Sequence, residues 1–170
     1  RTSRLQQLLA RLPGLETDKL RDLLHALAFE AHDAPPGDDG RGQIDRYRLT
    51  GRLIEFFKRL GSSEPSAHAD TFLEVVREEA GLLVARDDET AFVFPHLTFQ
   101  EYLAACWLAE QPDMIEQAYK RWQSDDRERW RQVLLLLAGR LRQKGQKDIE
   151  RDGVPWLDML SSATARGQAK

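Results

Sequence analysis

Between Gly81 and Phe94 the spacing of apolar residues changes from helical to extended, and this change limits the chain to few architectures. Two short apolar runs, Leu82-Leu83-Val84-Ala85 and Ala91-Phe92-Val93-Phe94, flank the charged stretch Arg86-Asp87-Asp88-Glu89-Thr90. Such runs around a polar turn predict a β-hairpin. A lone hairpin is marginal in water, so it must pack on something else. The upstream segments supply the partner. Leu20, Leu23, Leu24, Leu27, Ala28 and Ala31 recur at helical spacing, and the helix stops before the loop Pro35-Pro36-Gly37-Asp38-Asp39-Gly40. Leu49, Leu53, Phe57 and Leu60 mark a second helix closed by Gly61 and the turn from Ser62 to Pro65. Phe72, Val75, Val76 and Ala80 mark a third, closed by Gly81.

Three helices followed by a hairpin is the order of a winged-helix domain, with the hairpin as the wing. Downstream, Thr98-Phe99-Gln100-Glu101 fits a capping box, in which the Thr98 hydroxyl and Glu101 carboxylate satisfy amides at a helix start. Leu97 and Tyr102 take the hydrophobic-staple positions. That helix is expected to run to about Glu110, before Pro112. Asp125 and Glu128 make a similar pair ahead of a helix carrying Trp130, Val133, Leu134, Leu137 and Leu141, and a short helix is expected over Trp156 to Leu160. The expected fold is mainly α, a winged helix of three helices plus a β-hairpin followed by an α-helical domain. Residues 1–111 are assigned to the winged helix with its preceding helical segment, and 112–170 to the start of a helical, superhelical domain.

Composition bears on function mainly by exclusion. At 170 residues, 41% hydrophobic and with a formal net charge of −3, the chain can bury a core and has no overall pull toward nucleic acid or anionic membrane. Cys106 is alone, so no internal disulfide can form, and no apolar run reaches the roughly 18 residues of a membrane span. A cytoplasmic setting is expected. Arg1 stands first with no charged-then-apolar leader after it, which reads as part of something longer. No G-x-x-x-x-G-K-[ST] phosphate loop is present, Gly139 and Gly145 being wrongly spaced. His25, His32, His68, His96 and Cys106 make no metal-ligand spacing, and no nucleophilic serine motif occurs. The chain is expected not to be an enzyme by itself and to hold no cofactor or metal.

The informative stretch is Ala91-Phe92-Val93-Phe94-Pro95-His96-Leu97-Thr98-Phe99-Gln100-Glu101-Tyr102-Leu103-Ala104-Ala105. It resembles the winged-helix signature of NACHT-type signalling NTPases of the STAND class: a strand ending in Phe-x-His, then a helix opening Phe-Gln-Glu-Tyr. Ala80-Gly81-Leu82-Leu83 and the run from Trp130 to Gly139 are similar to the same family, so the resemblance covers about residues 20 to 145. Pro95 stands where the family often has another residue. The resemblance implies a downstream part of an ATP/ADP switch, in which the winged helix folds over ADP and exchange for ATP, with Mg, opens the parent into a homo-oligomer. The implied partner is the nucleotide-binding domain of the same chain, and defence signalling is a further implication. By the same resemblance His96 matches the histidine that reaches the ADP β-phosphate in the closed form.

Physical chemistry is compatible with that role. A histidine at a strand-to-helix corner lies beside free amides and the positive end of a helix dipole, where an anion is favoured, and its imidazole can donate to a phosphate oxygen. The alternative is an imidazole that caps a backbone carbonyl and locks the corner. Phe94, Phe99, Tyr102 and Leu103 are expected in the core between wing and helix, with Gln100 and Glu101 in the first helical turn. Two other functions compete. A DNA-binding winged helix is disfavoured because residues 64–101 hold nine acids against two bases, where phosphate contact needs the opposite sign. A plain helical interaction module draws support from residues 120–151, with ten bases against five acids.

Overall fold

The computed structural model describes residues 9–12, 14–37, 41–76, 81–86 and 89–143. Along them run α1 (Thr17–Asp33), β1 (Ile44–Asp45), α2 (Arg46–Arg59), α3 (Pro65–Val75), β2 (Val84–Arg86), β3 (Ala91–Val93), α4 (Leu97–Ala109), α5 (Met114–Trp122) and α6 (Arg127–Gln143). The chain divides into two compact units, Arg1–Gln100 and Glu101–Lys170. The expected helix over Trp156 to Leu160, the helical residue Ala80 and the turn residues Asp87 and Asp88 lie outside the described residues.

In the first unit the helical periodicities become buried faces. α1 buries Leu20, Leu23, Leu24, Leu27, Ala28 and Ala31, together with His25 and His32. α2 starts where the Asp45 carboxylate accepts the Arg48 N–H at 3.0 Å, which satisfies one of the orphan donors of the first turn. It ends in a Schellman motif: the Gly61 N–H donates to Lys58 O and the Ser62 N–H to Phe57 O, both at 3.0 Å, with Gly61 at φ +78°. α3 opens on Pro65, whose fixed φ suits a first helical position. His68, in the first turn of α3, is half-buried. Its Nδ1 lies 2.9 Å from the Ser62 hydroxyl and its ring stands edge-on to Phe57 at 5.5 Å.

The expected hairpin forms from β2 and β3, and a third strand completes it. The sheet order is β1-β3-β2, antiparallel throughout, with Ile44 opposite Phe92 and Val84 opposite Val93. β3 is the central strand and all three of its residues are buried. β1 has only two residues and was not foreseen. At the turn of the wing, Glu89 takes φ +69°, and Arg46 binds the turn twice: its N–H donates to Thr90 O at 2.9 Å and its guanidinium to Glu89 at 3.1 Å. Helix, strand, two helices and hairpin in this order make a winged helix.

In the second unit, α4 buries Leu103, Ala104, Ala105, Cys106 and Leu108, a spread around the helix typical of an interior position. α5, absent from the sequence reading, buries Met114 and Ala118. α6 buries Trp130, Val133, Leu134 and Leu137 and starts one residue later than Asp125 suggested: the Asp126 carbonyl accepts from Arg129 and Trp130 N–H. The Arg121 guanidinium lies 4.4 Å over the Trp130 ring. Among the described residues no helix is long and apolar enough to cross a membrane.

Candidate functional site

The residues singled out in the sequence gather at the corner where β3 gives way to α4. β3 ends at Val93, Phe94 is fully buried, and the Phe94 and Phe99 rings meet edge to face at 6.0 Å, which realises the expected aromatic contact under the corner. His96 sits above it, exposed. Its imidazole makes no hydrogen bond or ion pair among the described residues, whereas its carbonyl accepts the N–H groups of Phe99 at 3.2 Å and Gln100 at 3.1 Å. His96 therefore occupies the N-cap position of α4 with its side chain uncommitted. The Leu97 and Thr98 amides, next in the chain, meet no acceptor among the described residues.

Three expectations at this corner need correction. The helix begins at Leu97, so Thr98 is already helical, its side chain is exposed, and it does not act as the cap. Glu101 then falls in the second turn, too deep for a capping box. Its side chain is 7% exposed, and burial pushes its carboxyl above the usual range. Tyr102, placed in the core, is 47% exposed, because one step around the helix from Glu101 faces solvent. The local sequence fitted a cap starting at Thr98, but His96 takes the cap position.

Two braces hold the corner from either side. Upstream, Arg41 Nη1 donates to Phe94 O at 3.1 Å and to Pro95 O at 2.9 Å. Downstream, Gln100 is fully buried and its Nε2 donates to His32 Nδ1 at 3.2 Å, tying the first turn of α4 to the end of α1. Neither brace was found from sequence. Arg41 lies in a Gly-rich loop with nothing to mark it, and His32 stands out only as a candidate metal ligand.

α3 is the helix that would enter the groove in a DNA-binding winged helix. α3 carries Asp70 and Glu74, both exposed, and no Lys or Arg.

A family model for the winged helix-turn-helix domain C-terminal to NACHT matches residues 16–108. The chain belongs to that family. No curated protein and no solved structure matches it. The match spans this NACHT-associated winged helix from just before α1 to the last turn of α4, so the corner with His96 lies inside it. Membership implies a NACHT domain N-terminal to this one in the same protein as its partner.

Proposed function

We propose that this winged helix stabilises the closed, ADP-bound state of a NACHT NTPase, with His96 as its nucleotide sensor. The observation that carries the reading is the uncommitted, exposed imidazole at the N-cap of a 13-residue helix whose next two amides also lack acceptors. An imidazole N–H, two free N–H groups and the positive end of a helix dipole converge on one corner, a donor set suited to a phosphate. The alternative, an imidazole that caps a backbone carbonyl, finds no such bond among the described residues. The phosphate loop and Mg-binding acids would belong to the NACHT domain, and no catalytic step is assigned to residues of this chain. Loss of the contact on exchange of ADP for ATP would release the winged helix and permit oligomerisation.

Removing a hydrogen bond to a charged group costs about 1.5 to 3 kcal/mol, so His96→Ala in the NACHT-containing protein should speed ADP release roughly ten- to a hundredfold. Thr98→Ala is the control, since that side chain is exposed on the same turn without a partner. Equal ADP release from both variants and the unaltered protein would refute the sensor role.

A further inference from the structure

We infer that Arg41 is a positioning residue, whose guanidinium fixes the main chain that presents His96. β1 and β3 pair with Ile44 opposite Phe92 and Asp45 opposite Ala91. Continued one residue at a time, that register brings Arg41 opposite Pro95. Proline has no N–H to give, so the ladder cannot extend to the corner. The Arg41 side chain takes over where backbone pairing fails, with one nitrogen donating to both carbonyls that precede His96.

Arg41 is itself held from behind. Pro36 and Gly42 form a bridge, and the Gly37 N–H donates to Arg41 O at 2.9 Å, which ties the backbone of Arg41 and Gly42 to that of Pro36 and Gly37. The side chain is thus carried on a backbone tied next to the sheet. A guanidinium suits the task because its donors are fixed in one plane. With the carbonyls behind His96 anchored by Arg41 and the amides ahead bonded to the His96 carbonyl, the backbone at His96 has little freedom while its imidazole keeps its own.

The link from Arg41 to nucleotide rests on the sensor reading proposed above, whereas its hold on the corner does not, and the experiment separates the two. Amide hydrogen exchange on this chain is read at Phe99 and Gln100, whose N–H groups bond to His96 O, with Leu53 and Phe57 in α2 as internal references. Arg41→Ala should speed exchange at Phe99 and Gln100 at least tenfold and leave the α2 amides unchanged. Unchanged exchange at the corner would overturn the inference. Should Arg41→Ala fail to fold, Arg41→Lys is read instead, with a smaller rise at the same two amides supporting the inference and none overturning it. ADP release from the NACHT-containing protein is then compared for Arg41→Ala, His96→Ala and the double variant. A double variant no faster than His96→Ala supports positioning, and additive effects overturn it. A loosened corner with ADP release indifferent to His96→Ala would sink the sensor reading and leave Arg41 as the residue that sets the corner.

Discussion

Gln100 Nε2 lies 3.2 Å from His32 Nδ1, and both residues are buried, at 0% and 1% exposure. The amide N–H donates and the ring nitrogen accepts, a bond made between two buried side chains. Gln100→Ala deletes the bond and leaves a buried ring nitrogen without it. The expected loss is about 1 to 3 kcal/mol in chemical denaturation, more than a typical surface substitution. Replacing Gln100 by the similarly shaped Leu should be less costly than Gln100→Ala, since it refills the space while still deleting the bond. Gln100→Leu as stable as the parent would show that the bond contributes nothing.

Two glycines in and after α2 should respond to alanine with opposite signs. Gly61 sits at φ +78°, so Gly61→Ala is expected to destabilise by about 1 to 2 kcal/mol even though the space for a methyl group is open. Gly51 lies in the middle of α2, exposed and with nothing within 4 Å of an added Cβ, so Gly51→Ala should stabilise by about 0.5 to 1 kcal/mol. Equilibrium unfolding of the two variants checks both at once, and equal signs would contradict the assigned backbone conformations.

The buried carboxyl of Glu101 makes stability depend on pH in a defined direction. Desolvation raises its pKa in the folded state, so folding favours the protonated form. Its contribution is fully present below the unfolded value of about 4.3 and is lost as pH rises through the folded value. Glu101→Gln keeps the shape and removes the ionisation. The variant should melt higher than the parent at pH 7 and show no advantage below about pH 4. A benefit that is constant across pH would assign the effect to packing instead.

Cys106 should be chemically quiet in the folded protein. It is 1% exposed, and burial pushes its thiol up, against the lowering pull of the Arg140 guanidinium and the Tyr102 hydroxyl. The thiolate is the reactive form, so alkylation at pH 8 should be far slower than for a free thiol and become fast only in denaturant. Rapid labelling under native conditions would mean that α4 opens locally.

Much of this fold was legible because its signals were periodic and long. Leu20 to Ala31 and Leu49 to Phe57 form stripes that only a helix can bury together, and the change of period after Gly81 marked the wing. β1 was not legible, because two residues carry no period, and Ile44 becomes strand only through its pairing with Phe92. α5 was missed although Asp113 before it, Glu116 in its first turn and Lys120 and Arg121 in its last are usual helix-end signals. At the candidate site, His96 and the Phe94–Phe99 contact could be read from the motif. The start of α4 could not, since Thr98 and Glu101 offered a good local cap that the structure does not use. Arg41 lay beyond sequence reading altogether, because its role follows from a register that exists only once β1 is in place.

That two-residue strand also shapes how the domain assembles. β2 and β3 meet across a short turn, Val84 facing Val93, whereas Ile44 must find Phe92 across about 48 residues of chain. On an unfolded chain the longer closure carries roughly 1.5 kcal/mol more entropy loss than the hairpin, since each doubling of loop length adds about 0.6 kcal/mol. The wing is thus a local event and the three-stranded sheet a non-local one, so β1 closure is expected to follow α2 and α3 formation rather than guide it. Protein engineering of the folding transition state checks the order: Ile44→Val should speed unfolding and leave the folding rate nearly unchanged.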